Sequence, residues 1–258
     1  MYLPKLKVNE ENLFLYILQD RGVKLYALVN NAGVMRAEPE VIINTNFKGP
    51  KRVTDAFIGL IDKSEGRIVN TSSGAASLWL CQQDSKTKSL FTNEFGNFED
   101  LEAAVNENVA AKTFKNDLRN GYGLSKAALN ALTLIQAKSY PNLKVTSLTP
   151  GFIDTPMTKG KGSKLRPEQG TLSITHCLFE PVVSGCYYGA DGLRSPLTVY
   201  RDPGTPEYEG EENPDPAKYS KMIIIIVYLI QNIKVLRLKM PSVGNFRSQV
   251  QIQHKSIT

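Results

Sequence analysis

Short apolar runs alternate along this chain with stretches whose apolar residues recur at helical spacing. Leu25-Tyr26-Ala27-Leu28-Val29 is an apolar run stopped by Asn30-Asn31-Ala32-Gly33, the pattern of a buried strand followed by a turn. Before it, Glu11 to Asp20 carries Leu13, Tyr16 and Leu18 in a helical arrangement. Pro39 can open the next helix, since the N–H that proline lacks would be unpaired at a first helical position anyway. Ile42, Val53, Phe57, Leu60 and Ile61 continue from it at broadly helical spacing. Gly66 precedes a second strand, Arg67 to Thr71, ending in Ser72-Ser73-Gly74. Gly121 to Ser139 predicts a helix with Leu124, Ala128, Ala131 and Ile135 on one face, closed ahead of Pro141 because a residue before proline avoids helical angles. Leu143 to Leu148 is a third strand, stopped by Thr149-Pro150-Gly151; Pro167 opens a helix through Leu178, and Val182 to Tyr188 reads as a last strand. Strands alternating with helices predict an α/β fold with a mostly parallel sheet.

Three segments break this rhythm. Residues 80–120 are polar and rich in Asn, Lys, Glu and Phe, an insertion with some helix in it. Residues 201–220 are dense in Pro, Glu, Asp and Gly and read as a linker or surface loop. Residues 221–258 form an atypical tail whose run Met222 to Ile230 holds nine apolar residues, short of the roughly 20 needed to span a membrane. An additional strand or a poorly folded, aggregation-prone segment is the simpler reading of that run, ahead of contact with a membrane surface. The division expected is therefore a main domain over 1–200, a linker over 201–220 and a tail over 221–258.

Charge changes the picture little. The formal net charge of +6 resides in 221–258, which holds six basic residues and no acid, leaving 25 basic and 25 acidic residues in the rest. No basic stripe suggests a nucleic-acid partner. Asn9, Glu10, Glu11 and Asn12 interrupt the apolar core a secretory leader needs, so a cytoplasmic setting is expected. Three cysteines, Cys81, Cys177 and Cys186, form no Cys-x-x-Cys pair, and the only histidines are His176 and His254. Disulfide frameworks, metal sites and Ser-His-Asp chemistry thus have little to draw on, and no metal is expected.

The chemistry lies in five short motifs. Asn30-Asn31-Ala32-Gly33 follows a strand, Thr45-Asn46-Phe47-Lys48-Gly49 lies on a helix, and Asn70-Thr71-Ser72-Ser73 ends a strand. Tyr122-Gly123-Leu124-Ser125-Lys126 opens a helix, and Pro150-Gly151-Phe152-Ile153-Asp154-Thr155 follows a strand. A Tyr-x-x-x-Lys spacing alone means nothing in a chain with 11 tyrosines, where about one arises by chance. A second copy, Tyr140 to Lys144, has Pro141 directly after the tyrosine and does not fit a helix interior. Only Tyr122 and Lys126 lie four apart on a helix, sharing a face.

In this order the five motifs resemble the short-chain dehydrogenase/reductase family, over about residues 10–210. The resemblance implies a Rossmann-like, mostly parallel sheet and hydride transfer with a nicotinamide cofactor. It makes Asn46, Ser73, Tyr122 and Lys126 the expected catalytic group. A phenol with a pKa near ~10 is a poor acid at neutral pH, and a nearby ammonium favours its phenolate, which suits Lys126 one turn away. Tyr122 would protonate the developing alkoxide and Ser73 would hydrogen-bond the same oxygen. By resemblance, Lys126 also grips the nicotinamide ribose and Asn46 holds a linking water. Asn30, Ala32 and Gly33 would let backbone approach the cofactor, while Pro150, Gly151, Ile153 and Thr155, with Tyr122 and Lys126, would hold its nicotinamide end. Taken alone, Ser73 reads equally well as a helix cap and Asn46 as a mid-helix polar residue.

Two departures from the family pattern refine this. Ser73 and Tyr122 are 49 residues apart where the family usually has about a dozen. Such an insertion, and the segment Gly185-Cys186-Tyr187-Tyr188-Gly189-Ala190-Asp191-Gly192, resemble the monomeric carbonyl reductase branch, in which the insertion covers the dimerising surface. This implies a monomer using NADPH on small carbonyl compounds. No glycine-rich TGxxxGxG turn precedes Asn30, so the expected fold is N-terminally incomplete, lacking the first strand, Gly-turn, helix and the strands that follow. The rival expectation is a non-catalytic family remnant, unable to hold cofactor and acting through protein contacts or not at all.

Overall fold

The computed structural model describes residues 17–94, 96–111, 121–163 and 165–220, together with 224–225 and 236–237. The chain divides into two units, Met1–Ser220 and Lys221–Thr258. In the first, four strands pair in sequence order: β1 (Ala27–Asn30), β2 (Arg67–Thr71), β3 (Lys144–Leu148) and β4 (Tyr187–Tyr188), every pair parallel. Parallel neighbours require crossovers, and helices supply them. α1 (Pro39–Ile43) and α2 (Gly49–Phe57) join β1 to β2, α3 (Gly74–Leu80), α4 (Ser85–Ser89), α5 (Phe98–Ala110) and α6 (Tyr122–Ser139) lie between β2 and β3, and α7 (Thr171–Phe179) leads to β4. This is a Rossmann-like sheet.

Side-chain alternation along the strands builds the two faces. Ile68 and Val145 pack with Leu28, Ile58 and Ala137 on the face of α2 and α6. Val69, Leu148 and Tyr188 pack with Cys177, Ile174 and Leu178 of α7 on the other. Helix α6 is buried on almost every side from Tyr122 to Gln136, because the insertion covers its outer flank: Trp79, Leu80, Phe91, Leu101 and Val105 close over Leu124, Ala128 and Leu132. Burying each such leucine contributes about 1.5–3 kcal/mol. The insertion is thus a second wall of the core, and its Ala- and Leu-rich partner helix has no polar outer face to keep.

A hydrogen-bonded polar chain crosses this interior. Asn30 Nδ2 donates to Thr54 Oγ1 (3.2 Å) and Asn70 Oδ1 (2.8 Å), and Asn70 Nδ2 donates to Thr133 Oγ1 and Gln136 Oε1 (2.9 Å each). It fixes β1, α2, β2 and α6 in one register, and each group needs its partner because none is in water. Asn70→Ala is expected to cost about 2 kcal/mol by leaving buried amides unpaired, read as a lower urea midpoint at constant slope.

Three expectations shift. First, α1 and α2 are joined through a wide π turn, Asn44–Lys48. Such a turn lags an α-helix by about 100° of rotation, so Val53 leaves the apolar face and is 41% exposed while Ile42 is fully buried. Second, only Tyr187 and Tyr188 of the expected strand Val182 to Tyr188 pair with β3. Ser184 Oγ takes the Val145 N–H (3.1 Å) that a strand carbonyl would take, and Gly185 sits at φ +84°, so the segment turns instead of extending. Third, residues 201–220, linker-like in composition, lie within the first unit and bury Tyr219 completely. Arg201 ties them to Asp191 through two bonds (2.8 and 3.0 Å), and Asp202 N (2.8 Å) and Thr205 Oγ1 (3.2 Å) both donate to the Tyr219 carbonyl.

Of the helix expected at Glu11–Asp20, residues 17–20 are helical and the remainder lies outside the described residues. In the second unit Ile224–Ile225 pairs antiparallel with Leu236–Arg237; the rest of the apolar run also lies outside them. Among the described residues, no helix is long and apolar enough to cross a membrane and no cluster of three metal-ligating side chains occurs.

Candidate active site

Because all four strands are parallel, their carboxyl ends share one edge of the sheet, where open α/β sheets bind ligands. The turn after β1, Ser72-Ser73 after β2 and the Pro150 turn after β3 all lie there, as does Tyr122, since α6 runs back toward the start of β3. Gly121 at φ +87° lets the chain turn into α6 directly before Tyr122.

Lys126 lies on the next turn, 3% exposed, its Nζ 5.8 Å from the centre of the Tyr122 ring. The end of β2 is latched to it twice: Lys126 Nζ donates to the Thr71 carbonyl (2.7 Å), and Ser72 Oγ donates to the Lys126 carbonyl (3.0 Å). Ser72 N also donates to Leu148 O of β3 (2.7 Å). Ser73, the next residue, is therefore held beside α6. Its Oγ accepts from Ala75 N (3.2 Å), so Ser73 caps α3 while remaining half-buried at the sheet edge. Burial in an apolar surrounding pushes the Lys126 ammonium down to about 8.

Asn46 sits within the π turn, fully buried. Its Oδ1 accepts from Val34 N and its Nδ2 donates to Val34 O (2.8 Å each) and to Ser125 Oγ (3.0 Å). Ser125 Oγ donates in turn to the Tyr122 carbonyl (2.8 Å). Asn46 thus clasps the peptide after Gly33 and links it to the first turn of α6. Gly33 lies where these groups meet: a Cβ there would fall 3.3 Å from Asn46 Oδ1 and 3.5 Å from Lys126 Nζ. Glycine keeps an approach to the ammonium open.

The remaining sequence-selected residues fall in two places. Ala32 is exposed on the β1 turn, whereas the Asn30 side chain is turned into the polar chain of the interior. Pro150 to Thr155 forms a braced turn: Gly151 adopts φ +84°, Asp154 N donates to Leu165 O (2.7 Å), and Thr158 Oγ1 donates to Ile153 O (2.5 Å) and lies 3.2 Å from Thr155 Oγ1. Ile153 packs so closely on Gly170 that a Cβ there would come within 2.8 Å.

Sequence reasoning missed two aromatic residues at this edge. The Tyr200 ring lies on Gly74, next to Ser73, where an added Cβ would fall 2.5 Å from Tyr200 Cε2. Tyr187 of β4 is buried, and burial, with Tyr200 and Tyr122 near, pushes its phenol well above the ordinary value against the opposing pull of a Thr149 hydrogen bond. Gly74 was a visible signal, but its neighbour is 126 positions away in sequence and nothing local points to it.

Several known proteins are similar to this chain. A family model described as short chain dehydrogenase matches residues 11–83. (+)-Neomenthol dehydrogenase of Capsicum annuum is 33% identical over 147 residues, 54% of this chain and 46% of that protein. (-)-Isopiperitenone reductase of Mentha piperita is 32% identical over 166 residues, 57% and 50% of the two chains. The chain thus spans about half the length of these curated relatives. The solved structure of salutaridine reductase from Papaver somniferum superposes with a TM-score of 0.58 at 25% identity, covering 68% of this chain and 76% of that one. Taken with the parallel sheet and the ordered motifs along its carboxyl edge, these matches make the chain similar to members of the short-chain dehydrogenase/reductase family.

Proposed function

We propose that this protein is an NADPH-dependent carbonyl reductase, moving hydride between the nicotinamide and a small aldehyde, ketone or quinone. The observation that carries the reading is the Tyr122–Lys126 pair on the first turns of α6, with Ser73 latched beside it and Asn46 below. The similar proteins named (-)-isopiperitenone reductase, from Mentha piperita, and salutaridine reductase, from Papaver somniferum, support a reductase reading. The preference for NADPH rests on the resemblance of Gly185 to Gly192, and of the long Ser73–Tyr122 spacing, to the monomeric carbonyl reductases. The same branch supports a monomer, with the insertion packed over α6 where a partner subunit would otherwise lie.

The residues present fit the nicotinamide end of such a cofactor. Gly33 leaves open the space before Lys126 Nζ, and an ammonium has three protons, of which Thr71 takes one. Lys126 would donate the others to ribose hydroxyls, and the braced Pro150–Thr155 turn would present backbone and hydroxyl groups to the carboxamide. The bound nicotinamide supplies the hydride. On the protein side, Ser73 Oγ donates a hydrogen bond to the substrate oxygen as negative charge grows there, and Tyr122 delivers the proton that makes it an alcohol. The Lys126 ammonium stabilises the phenolate left behind, which takes a proton from solvent to restore the phenol.

Titration of the 258-residue chain with NADPH by calorimetry, with Tyr122→Phe as a matched control, tests the reading. Micromolar binding by both proteins is expected, followed by carbonyl-dependent oxidation of NADPH by the wild type alone. A folded chain that binds no NADPH would overturn it and leave the non-catalytic alternative.

A further inference from the structure

Beyond the catalytic group, a single threonine ties neighbouring elements together where the chain leaves β3. Thr149 N donates to the Tyr188 carbonyl of β4 (2.9 Å), and Ser173 Oγ of α7 donates to the Thr149 carbonyl (3.0 Å). The Thr149 hydroxyl acts on the following turn: Gly151 N donates to Thr149 Oγ1 (3.2 Å). The same side chain is hydrogen-bonded to the phenol of Tyr187, which is almost fully buried. β3, β4, α7 and the Pro150–Thr155 turn are thus fixed with respect to one another through one residue.

Strand pairing explains how Tyr187 reaches it. Ser147 pairs with Tyr187 and Leu148 with Tyr188, and Tyr188 packs against Cys177 on the α7 face. Side chains alternate along a strand, so Ser147 and Tyr187 point to the α6 face. The Thr149 N–H extends the ladder by one rung, which keeps the Thr149 side chain on that face too. Burial holds the Tyr187 phenol in its protonated form, and a buried hydroxyl is costly unless it is bonded. The rest of the turn is packed against its surroundings. A Cβ on Gly151, at φ +84°, would fall 3.0 Å from Ala190 Cβ, and Ile153 is closed on Gly170. Packing sets where the turn lies, and the Thr149 hydroxyl sets the rotation of the first peptides leaving the strand. An error there is carried along the backbone to Ile153 and Thr155.

We infer that Thr149 is a positioning residue for the nicotinamide end of the site, its hydroxyl setting the turn that would hold the carboxamide, with Tyr187 as the strut behind it. This rests on the carbonyl reductase reading. Neither side chain is asked to touch the cofactor. Their effect passes through the Gly151 peptide, and it is confined to the part of the cofactor that meets the turn.

The test compares, by calorimetry, NADPH with 2′-phospho-ADP-ribose, which lacks the nicotinamide ring and keeps the remainder of the cofactor. Thr149→Val preserves the shape of the side chain and removes the hydroxyl. It should weaken NADPH binding about fivefold, the size of one net hydrogen bond, and leave 2′-phospho-ADP-ribose binding unchanged. Thr149→Ser, which keeps the hydroxyl, should bind NADPH as the wild type does. Tyr187→Phe should show the same selective loss at about twofold, since it removes only the support behind that hydroxyl. A urea midpoint for each variant confirms the fold, and Tyr187→Phe carries the comparison if Thr149→Val does not fold. Equal weakening of both ligands would show that the hydroxyl merely supports the fold. Unchanged NADPH affinity in the folded variants would show that the turn does not depend on it. Either result overturns the inference and leaves the reductase reading standing. A folded wild type that binds neither ligand overturns the reductase reading, and the role of Thr149 with it.

Discussion

Replacing Tyr122 by Phe is expected to lower kcat/KM for carbonyl reduction by about 10²- to 10⁴-fold, the range that positioned proton transfer contributes. That is some 3–5 kcal/mol of transition-state stabilisation. The ring itself is buried at the start of α6 and keeps its packing in the variant, so fold and NADPH affinity should change little. The loss should fall on kcat, because the missing proton is needed only as charge develops on the substrate oxygen. Steady-state kinetics beside calorimetric NADPH binding separates the two. A variant retaining a tenth or more of wild-type kcat would mean that another group delivers the proton.

Lys126 carries the second large effect, on stability and its pH dependence. A lysine ordinarily titrates near 10.5, and burial pushes Lys126 down to about 8. Below that range the group is charged folded or unfolded, and the native state bears the desolvation cost in full. Between roughly pH 8 and 10.5 the unfolded chain still binds a proton that the native state has released, so stability rises with pH. The full span is worth about 3 kcal/mol. In Lys126→Met this contribution vanishes. The stability of wild type relative to the variant, from urea unfolding, should therefore grow by about 3 kcal/mol across that window. A constant difference would show that Lys126 keeps an ordinary pKa. At neutral pH the ammonium is still mostly charged, as the proposed phenolate stabilisation requires, and it holds that charge at the expense of fold stability.

What could be read from the sequence follows how far each feature reaches along the chain. The Tyr122–Lys126 pair is local: a spacing of four on a helix fixes a shared face, and the Leu/Ala periodicity of 122–139 shows the helix. The parallel sheet was legible for the same reason, since each strand is a short apolar run closed by turn residues. The phase error at Val53 has a physical source in the π turn, which no periodicity count anticipates because it adds rotation lag without breaking the helix. The shortened β4 was hidden because Ser184 substitutes a side-chain oxygen for strand pairing. Residues 201–220 look like a linker by composition, yet Arg201 reaches back to Asp191, and composition does not encode that contact. Tyr200 on Gly74 is non-local in the same way. Asn30 belongs to a recognisable motif, but which of its atoms face the ligand edge and which face the core is settled only by Thr54 and Asn70, 24 and 40 residues away.

The wide turn at Asn44–Lys48 amounts to a single residue spliced into an otherwise continuous helix. Removing one residue there would restore an ordinary helical path and swing every side chain after it by about 100° about the axis. Asn46 would then leave the Val34 peptide and the Ser125 hydroxyl together. Helix length at this point is therefore a specification in its own right, and a chain one residue shorter could keep every motif letter while losing the clasp that joins them.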